Sequence, residues 1–328
     1  MEVSYASARQ HTGTAHVHVH TSILARVHTP RRVIPRALFR KIRRIEVRTK
    51  GLVHDVFGGE YHSAFKGRGI EFAEVRPYQI GDDIRTIDWN VSARTGETHV
   101  KVYEEEREQT LILAVDVSGS GDFGSVGRAK REIAAEVCAV LGFSALQNGD
   151  KVGLLLFSDR VERFVPPKKG RQHVLRLVRD LFVHEPQARG TDLRPALDHL
   201  LHALRRRAIV LLLSDFLLPT DLHEPTSRAL RTVSKKHDLV GVHLRDPREG
   251  TLPNVGLLTL TDAETGRPVT IDTRSRRARE RFAAQAAERQ AAIAQTLRRA
   301  RIDTVEVATD ADYVEPLVAF FRRRNRER

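Results

Sequence analysis

One cysteine, one methionine and one tryptophan stand among 328 residues. A lone Cys138 has no partner for an internal disulfide, which excludes a disulfide scaffold and points to a reducing compartment. Long apolar runs are also missing. The longest, Leu111–Val115 and Ile209–Leu213, are strand-sized, far short of the roughly 20 residues a membrane-spanning helix needs. Ser22–Ala25 is too short for the apolar centre of a signal peptide, so a soluble, cytoplasmic protein is expected. The third deficit is a net field on the body. The formal charge is +13, yet residues 1–50 hold eleven basic and two acidic side chains, residues 317–328 hold five and one, and residues 51–316 balance at 39 each. Nucleic acid is therefore not an expected partner of the folded part.

With 41% hydrophobic residues the chain can bury a sizeable core. Residues 1–32, rich in Thr, Ser and His and including His16, His18 and His20, lack apolar periodicity and are expected to be a flexible tail. Met1 is the only methionine and compact patterning begins near Val33, so the expected true start lies downstream of Met1. Leu38, Ile42, Ile45 and Val47 recur among Arg and Lys at helical spacing, which predicts a short basic amphipathic helix. Between 55 and 109, glycines at 58, 59, 67, 69, 81 and 96 separate the β-type runs Ile70–Val75, Ile87–Val91 and Thr98–Tyr103. Residues 33–109 are thus expected to form that helix plus a small β-rich subdomain.

From residue 110 to 328 apolar runs alternate with helical stretches, the pattern of an α/β domain with a mainly parallel sheet flanked by helices. Strands are predicted at Leu111–Val115, Val152–Phe157, Ile209–Leu213, Leu239–Leu244 and Thr304–Val307. Helical stripes run through Ile133, Val137, Val140, Leu141 and Ser144; through Val174, Leu177, Val178 and Leu181; and through Leu193, Leu197, Leu200, Leu201 and Leu204. Further helices are predicted over Ser275–Ala300 and Val314–Arg324. An inserted hairpin is expected near 257–271, around the turn signal Glu264-Thr265-Gly266.

Directly after the first of these strands comes Asp116-Val117-Ser118-Gly119-Ser120-Gly121-Asp122-Phe123-Gly124, where an open α/β sheet binds its ligands. Gly119-x-Gly121-x-x-Gly124 satisfies the dinucleotide fingerprint, which would make the protein an oxidoreductase. Asp116 would repel a pyrophosphate, however, and neither Asp150 nor Asp159 is placed to hold the ribose. The alternative is a divalent-cation site: Asp116, Ser118 and Ser120 alternate, so on extended backbone their oxygens share one side, as a hard ion such as Mg²⁺ (or Mn²⁺) requires. Gly190-Thr191-Asp192 adds a hydroxyl on a loop, and Ser214-Asp215 adds a carboxylate at the end of another strand. His173, His184 and His199 lie on helical stretches and Cys138 within an apolar stripe, so neither a general base nor a nucleophile accompanies the motif and a non-enzymatic role is expected.

Asp116-x-Ser118-x-Ser120, Thr191 and Asp215, in this order, resemble the metal-ion-dependent adhesion site of von Willebrand factor A domains. Phe65-Lys66-Gly67-Arg68-Gly69-Ile70-Glu71-Phe72-Ala73-Glu74-Val75-Arg76-Pro77-Tyr78, continuing through Gly81-Asp82-Asp83-Ile84-Arg85 to Ile87-Asp88-Trp89-Asn90, is similar to the signature of the bacterial domain-of-unknown-function family fifty-eight. The resemblance covers the chain from about Val33 onward and implies a von Willebrand factor A-like domain over 110–328, in the short form without membrane helices. It also implies a MoxR-type AAA+ ATPase as partner, with the chain as an adaptor in chaperone-like assembly or maturation. In the metal site it implies, Ser118, Ser120 and Thr191 are direct or near-direct ligands, Asp116 and Asp215 bind largely through water, and an acidic residue of a client protein fills the open position. Asp82, Asp83, Arg85, Asp88 and Arg94 are expected to form an ion-pair network fixing the subdomain to the body, with Trp89 packed between; the alternative is a partner-binding surface.

Overall fold

The structure is a computed structural model in which residues 43–45, 47, 51–53, 57–65, 70–105, 108–125, 127–188, 190–218, 223–261 and 266–327 are described. The expected tail and its histidines, most of the basic helix and the turn at 264–265 lie outside these residues. Of the basic helix, Ile45 and Val53 are buried.

Helix α1, Gly58–Phe65, precedes an antiparallel ribbon of β1 (Ile70–Pro77) and β2 (His99–Glu105). The third expected run, Ile87–Val91, is not a strand. Trp89–Thr95 is helix α2, because the Asp88 carboxylate accepts from the amides of Asn90 and Val91 at 3.0 and 3.2 Å, and Gly96 closes the helix at φ 77°. Capping of first-turn donors is worth about 1 kcal/mol, enough to overturn the weak β preference of Ile87 and Val91. Among the described residues the expected ion-pair lock to the body does not appear either. Asp82 pairs bidentately with Arg76 at 2.7 and 2.8 Å, Asp83 accepts from the Arg85 amide, and Asp88 faces Lys101 at 3.6 Å, so these contacts all stay within the ribbon. Trp89 is 71% exposed rather than packed, and Ile80 and Ile84 are exposed beside it in sequence.

The α/β body runs β3 (Thr110–Asp116), α3 (Lys130–Gln147), β4 (Lys151–Phe157), β5 (Val161–Lys168), α4 (Arg171–Val183), α5 (Leu193–Ala203), β6 (Ile209–Ser214), α6 (His223–Lys236) and β7 (Asp238–Arg245). It continues with β8 (Leu257–Thr261), β9 (Pro268–Asp272), α7 (Arg276–Arg299), β10 (Asp303–Ala308) and α8 (Val314–Glu327). Six strands form one sheet in the order β10-β7-β6-β3-β4-β5, parallel except for β5, which pairs antiparallel with β4 at the edge. β5 has no counterpart among the expected strands. Its Pro166 and Pro167 argue against a strand except at an edge, where missing donors are tolerated. β8 and β9 form a separate antiparallel pair.

Alternation along β3 explains the layers. Leu111, Leu113 and Val115 face a core shared with α3, α4 and α8 and with Phe57, Tyr61 and Phe65. Ile112 and Ala114 face the opposite core, built with α5, α6 and α7. Each fully buried Leu or Val contributes about 1.5–3 kcal/mol, and with both faces covered the strands need the near-continuous apolar runs observed. Cys138 is buried in this core, and burial pushes its thiol pKa up.

Candidate metal centre

Chain order places the site. From β3 the chain moves to β4 on one side and returns to β6 on the other, so the crevice at the carboxyl end of β3 is the point where strand order reverses. Asp116 ends β3, level with Phe157 of β4, and Val115 lies opposite Leu213, one residue before Ser214 and two before Asp215. The five expected ligands, Asp116, Ser118, Ser120, Thr191 and Asp215, are all buried.

Asp116 is held through both oxygens: Oδ1 accepts from the Ser118 amide at 2.9 Å, Oδ2 from the Ser214 hydroxyl at 2.7 Å. Ser118 Oγ and Ser120 Oγ are 3.1 Å apart, so the alternating hydroxyls converge as expected. Gly119–Asp122 is a single 3₁₀ turn that carries Ser120 back towards Asp215, whose carboxylate it hydrogen-bonds. The Thr191 loop is tethered independently. The Asp192 amide donates to Ser158 O at the end of β4 and its carboxylate caps α5, while Glu162 accepts from the amides of Gln187 and Ala188. Thr191 is 4% exposed, and among the described residues its buried Oγ1 has no hydrogen-bond partner.

Four participants were not anticipated. Lys130, at the start of α3 and 1% exposed, donates to Asp215 Oδ2 at 2.7 Å and also pairs with Glu249. Ser214 fixes Asp116, and His243, buried beside Phe216, lies opposite Ser214 in the sheet. No spacing rule links these residues to Asp116; only a strand-end Ser before Asp215 was visible in advance. His243 is no general base in waiting, since burial pulls its pKa down to about 4 and keeps it neutral. His173, His184 and His199 bond or pack elsewhere, to Val152 O, Glu162 and Phe164.

Burial, then the charge of Asp215, raises the Asp116 pKa to about 6. Burial opposes ionisation of Asp215 as well, but the Lys130 ammonium and its hydrogen bond hold that carboxyl below the usual range. Lys130 in turn is pushed up by Asp215 and Glu249 against the effect of burial. With all four groups ionised, three carboxylates and one ammonium leave a buried charge of −2, which one divalent cation would neutralise. Phe216, directly after Asp215, sits at φ 53°, a left-handed conformation costly for a bulky residue and of a kind that collects at functional sites.

The residues fit such an ion. The Ser118 and Ser120 hydroxyls with the Asp116 and Asp215 carboxylates are hard oxygen donors of the kind Mg²⁺ takes, and Thr191 adds a buried hydroxyl on its own loop. Among the described residues no cluster of three or more His, Cys, Asp or Glu side chains is arranged to hold a metal. The dinucleotide alternative does not fit. α3 starts at Lys130, six residues after Gly124, and a Cβ at Gly124 would lie 2.0 Å from Arg128 O. That glycine permits a close backbone crossing, not a phosphate cradle at a helix N-terminus.

Comparison with known proteins supplies the family. The family profile described as Protein of unknown function DUF58 matches residues 74–292. The chain belongs to that family. Relatives of this DUF58 protein include the uncharacterized protein Rv1480 of Mycobacterium tuberculosis, 35% identical over 291 residues that cover 87% of this chain and 89% of the relative. The uncharacterized protein YeaD of Bacillus subtilis is 32% identical over 111 residues, 34% of this chain and 26% of the relative. Among solved structures it is similar to the conserved hypothetical protein BatB from Bacteroides thetaiotaomicron, with a TM-score of 0.43 and 14% identity over 66% of this chain and 99% of that one. It is also similar to the SpRpn10 VWA domain, with a TM-score of 0.36 and 10% identity over 64% and 93%. The DUF58 chain has the mainly parallel sheet flanked by helices expected for it, and no helix among its described residues is long and apolar enough to cross a membrane.

Proposed function

We propose that the protein is a non-enzymatic, metal-dependent protein-interaction module. In this reading Ser118, Ser120 and Thr191 hold Mg²⁺ or Mn²⁺ directly, and Asp116 and Asp215 hold its water ligands. The observation that carries it is the orphaned, buried Thr191 Oγ1, on a loop tethered to the strand end beside Asp116. A buried hydroxyl without a partner costs about 1–3 kcal/mol unless something meets it.

When bound, the ion supplies an electrophilic position, since few carboxylates touch it directly. The protein's own groups do the rest: Ser214 and the Ser118 amide fix the Asp116 carboxylate, the Gly119–Asp122 turn aims Ser120, and the Asp192 cap holds Thr191 in place. An Asp or Glu of a client protein is the ligand such a site accepts. The exposed Ile80, Ile84 and Trp89, in the connection between β1 and β2, are where we place a further protein contact. We assign that contact to a MoxR-type AAA+ ATPase, which the chain would serve as an adaptor in chaperone-like assembly or maturation.

The test is a pull-down with the full chain from its native host, with Mg²⁺ or with EDTA. An AAA+ ATPase and a client should be retained, the client only with Mg²⁺ and not by Asp116→Ala. A client retained equally in EDTA, or no AAA+ ATPase in any arm, would overturn the corresponding half of the proposal.

A further inference from the structure

Lys130 is the least expected side chain of the centre. An ammonium buried to 1% exposure needs compensation, and it finds two carboxylates, Asp215 at 2.7 Å and Glu249. Glu249 belongs to a 3₁₀ turn, Pro247–Glu249, that is firmly held. Its carboxylate accepts from the Asp246 amide at 3.0 Å, and Asp246 accepts from Ser125 Oγ and Thr309 Oγ1, both at 2.6 Å. One ammonium is thus shared between an expected ion ligand, Asp215, and an anchored carboxylate outside the expected donor set.

We infer that Lys130 and Glu249 set the cation affinity of the site, Lys130 as a resident positive charge that competes for Asp215 and Glu249 as the anchor that draws it away. The inference rests on the proposed metal site and names what tunes it. Asp215 cannot give its full charge to a divalent ion while it also carries Lys130, and Lys130 repels that ion at short range. Glu249 offsets this repulsion: with both present the buried charge is −2, without Glu249 it is −1, and without Lys130 it is −3. Both residues act through charge and position and touch the ion in neither case.

The two members of this ion pair should therefore shift affinity in opposite directions. A pair that served the fold alone would weaken the site whichever partner was lost. Mn²⁺ binding to the full chain, read from the free-ion EPR signal, separates the two. Lys130→Met should tighten Mn²⁺ on the order of tenfold and Glu249→Gln should weaken it by a similar factor. If Lys130→Met alone does not fold, because it strands Glu249 in the interior, the double variant K130M/E249Q restores the charge of −2. It should then bind within about threefold of wild type and clearly more tightly than E249Q. Shifts of the same sign in the single variants, or a double variant no tighter than E249Q, would overturn the inference and leave the metal site standing. A wild-type chain that binds no Mn²⁺ would overturn both.

Discussion

A buried threonine hydroxyl with nothing to bond is an energetic cost that an apolar isostere would remove. Thr191→Val should therefore leave the protein as stable as wild type in EDTA, or about 1 kcal/mol more stable, while losing its stabilisation by Mg²⁺; thermal unfolding in the two buffers reads both effects. A large loss of stability in EDTA would show that Thr191 has an internal partner. His237 is a second site where burial decides the chemistry. It is almost fully buried, neither ring nitrogen has a hydrogen-bond partner, and burial, aided by Lys236 and Arg207, pulls its pKa from 6.5 to about 4. A base whose folded pKa is depressed gives stability that is complete above the unfolded value and is lost as pH falls from about 6.5 to 4, here about 2–3 kcal/mol. His237→Phe should flatten that part of the stability curve, measured by urea unfolding at pH 4.5 and 7; an unchanged slope would contradict the burial argument.

The elements whose residues could be read in advance are those where one force dominates. Leu111–Val115, Val152–Phe157, Ile209–Leu213 and Leu239–Leu244 are apolar because both faces of their strands are covered, and each is a strand within a residue or two of its expected ends. The candidate site residues Asp116, Ser118, Ser120 and Asp215 were recognisable for the same reason, since a polar run directly after such a strand has little else to do. Elements decided by competing effects were not. β5 is polar on one side and carries two prolines, so only its edge position makes it a strand, and α2 depends on one capping carboxylate. Lys130 and Glu249 are distant in sequence and meet only through the fold. α1 docks through Phe57, Tyr61 and Phe65 on Phe321 of α8, with ring centroids 5.6–6.4 Å apart. Phe321→Ala should cost about 3–5 kcal/mol by opening a cavity there. A denaturant midpoint moved by less than 1 kcal/mol equivalent would show that α1 is held some other way.

Taken whole, the molecule keeps its interior and its exterior chemistry apart. Its α/β body hides a centre with a net negative charge, while the connection between β1 and β2 presents Trp89, Ile80 and Ile84 on a scaffold stiffened by the Arg76–Asp82 pair and the Asp88 cap. Trp89→Ala should leave the unfolding midpoint within about 0.5 kcal/mol of wild type and yet abolish retention of the AAA+ ATPase; a marked loss of stability would place Trp89 in the fold instead. The +13 of the whole chain bears on none of this, because it resides in the two ends, whereas residues 51–150 are net acidic, with 17 acidic side chains against 10 basic. The central claim is that a divalent cation is held at Asp116, within this acidic stretch. It is tested most directly by thermal unfolding of wild type and Asp116→Ala with and without saturating Mg²⁺. A hundredfold excess over the dissociation constant should stabilise wild type by about 2.7 kcal/mol and leave Asp116→Ala unmoved. An equal shift in both proteins, or none in wild type, would contradict it.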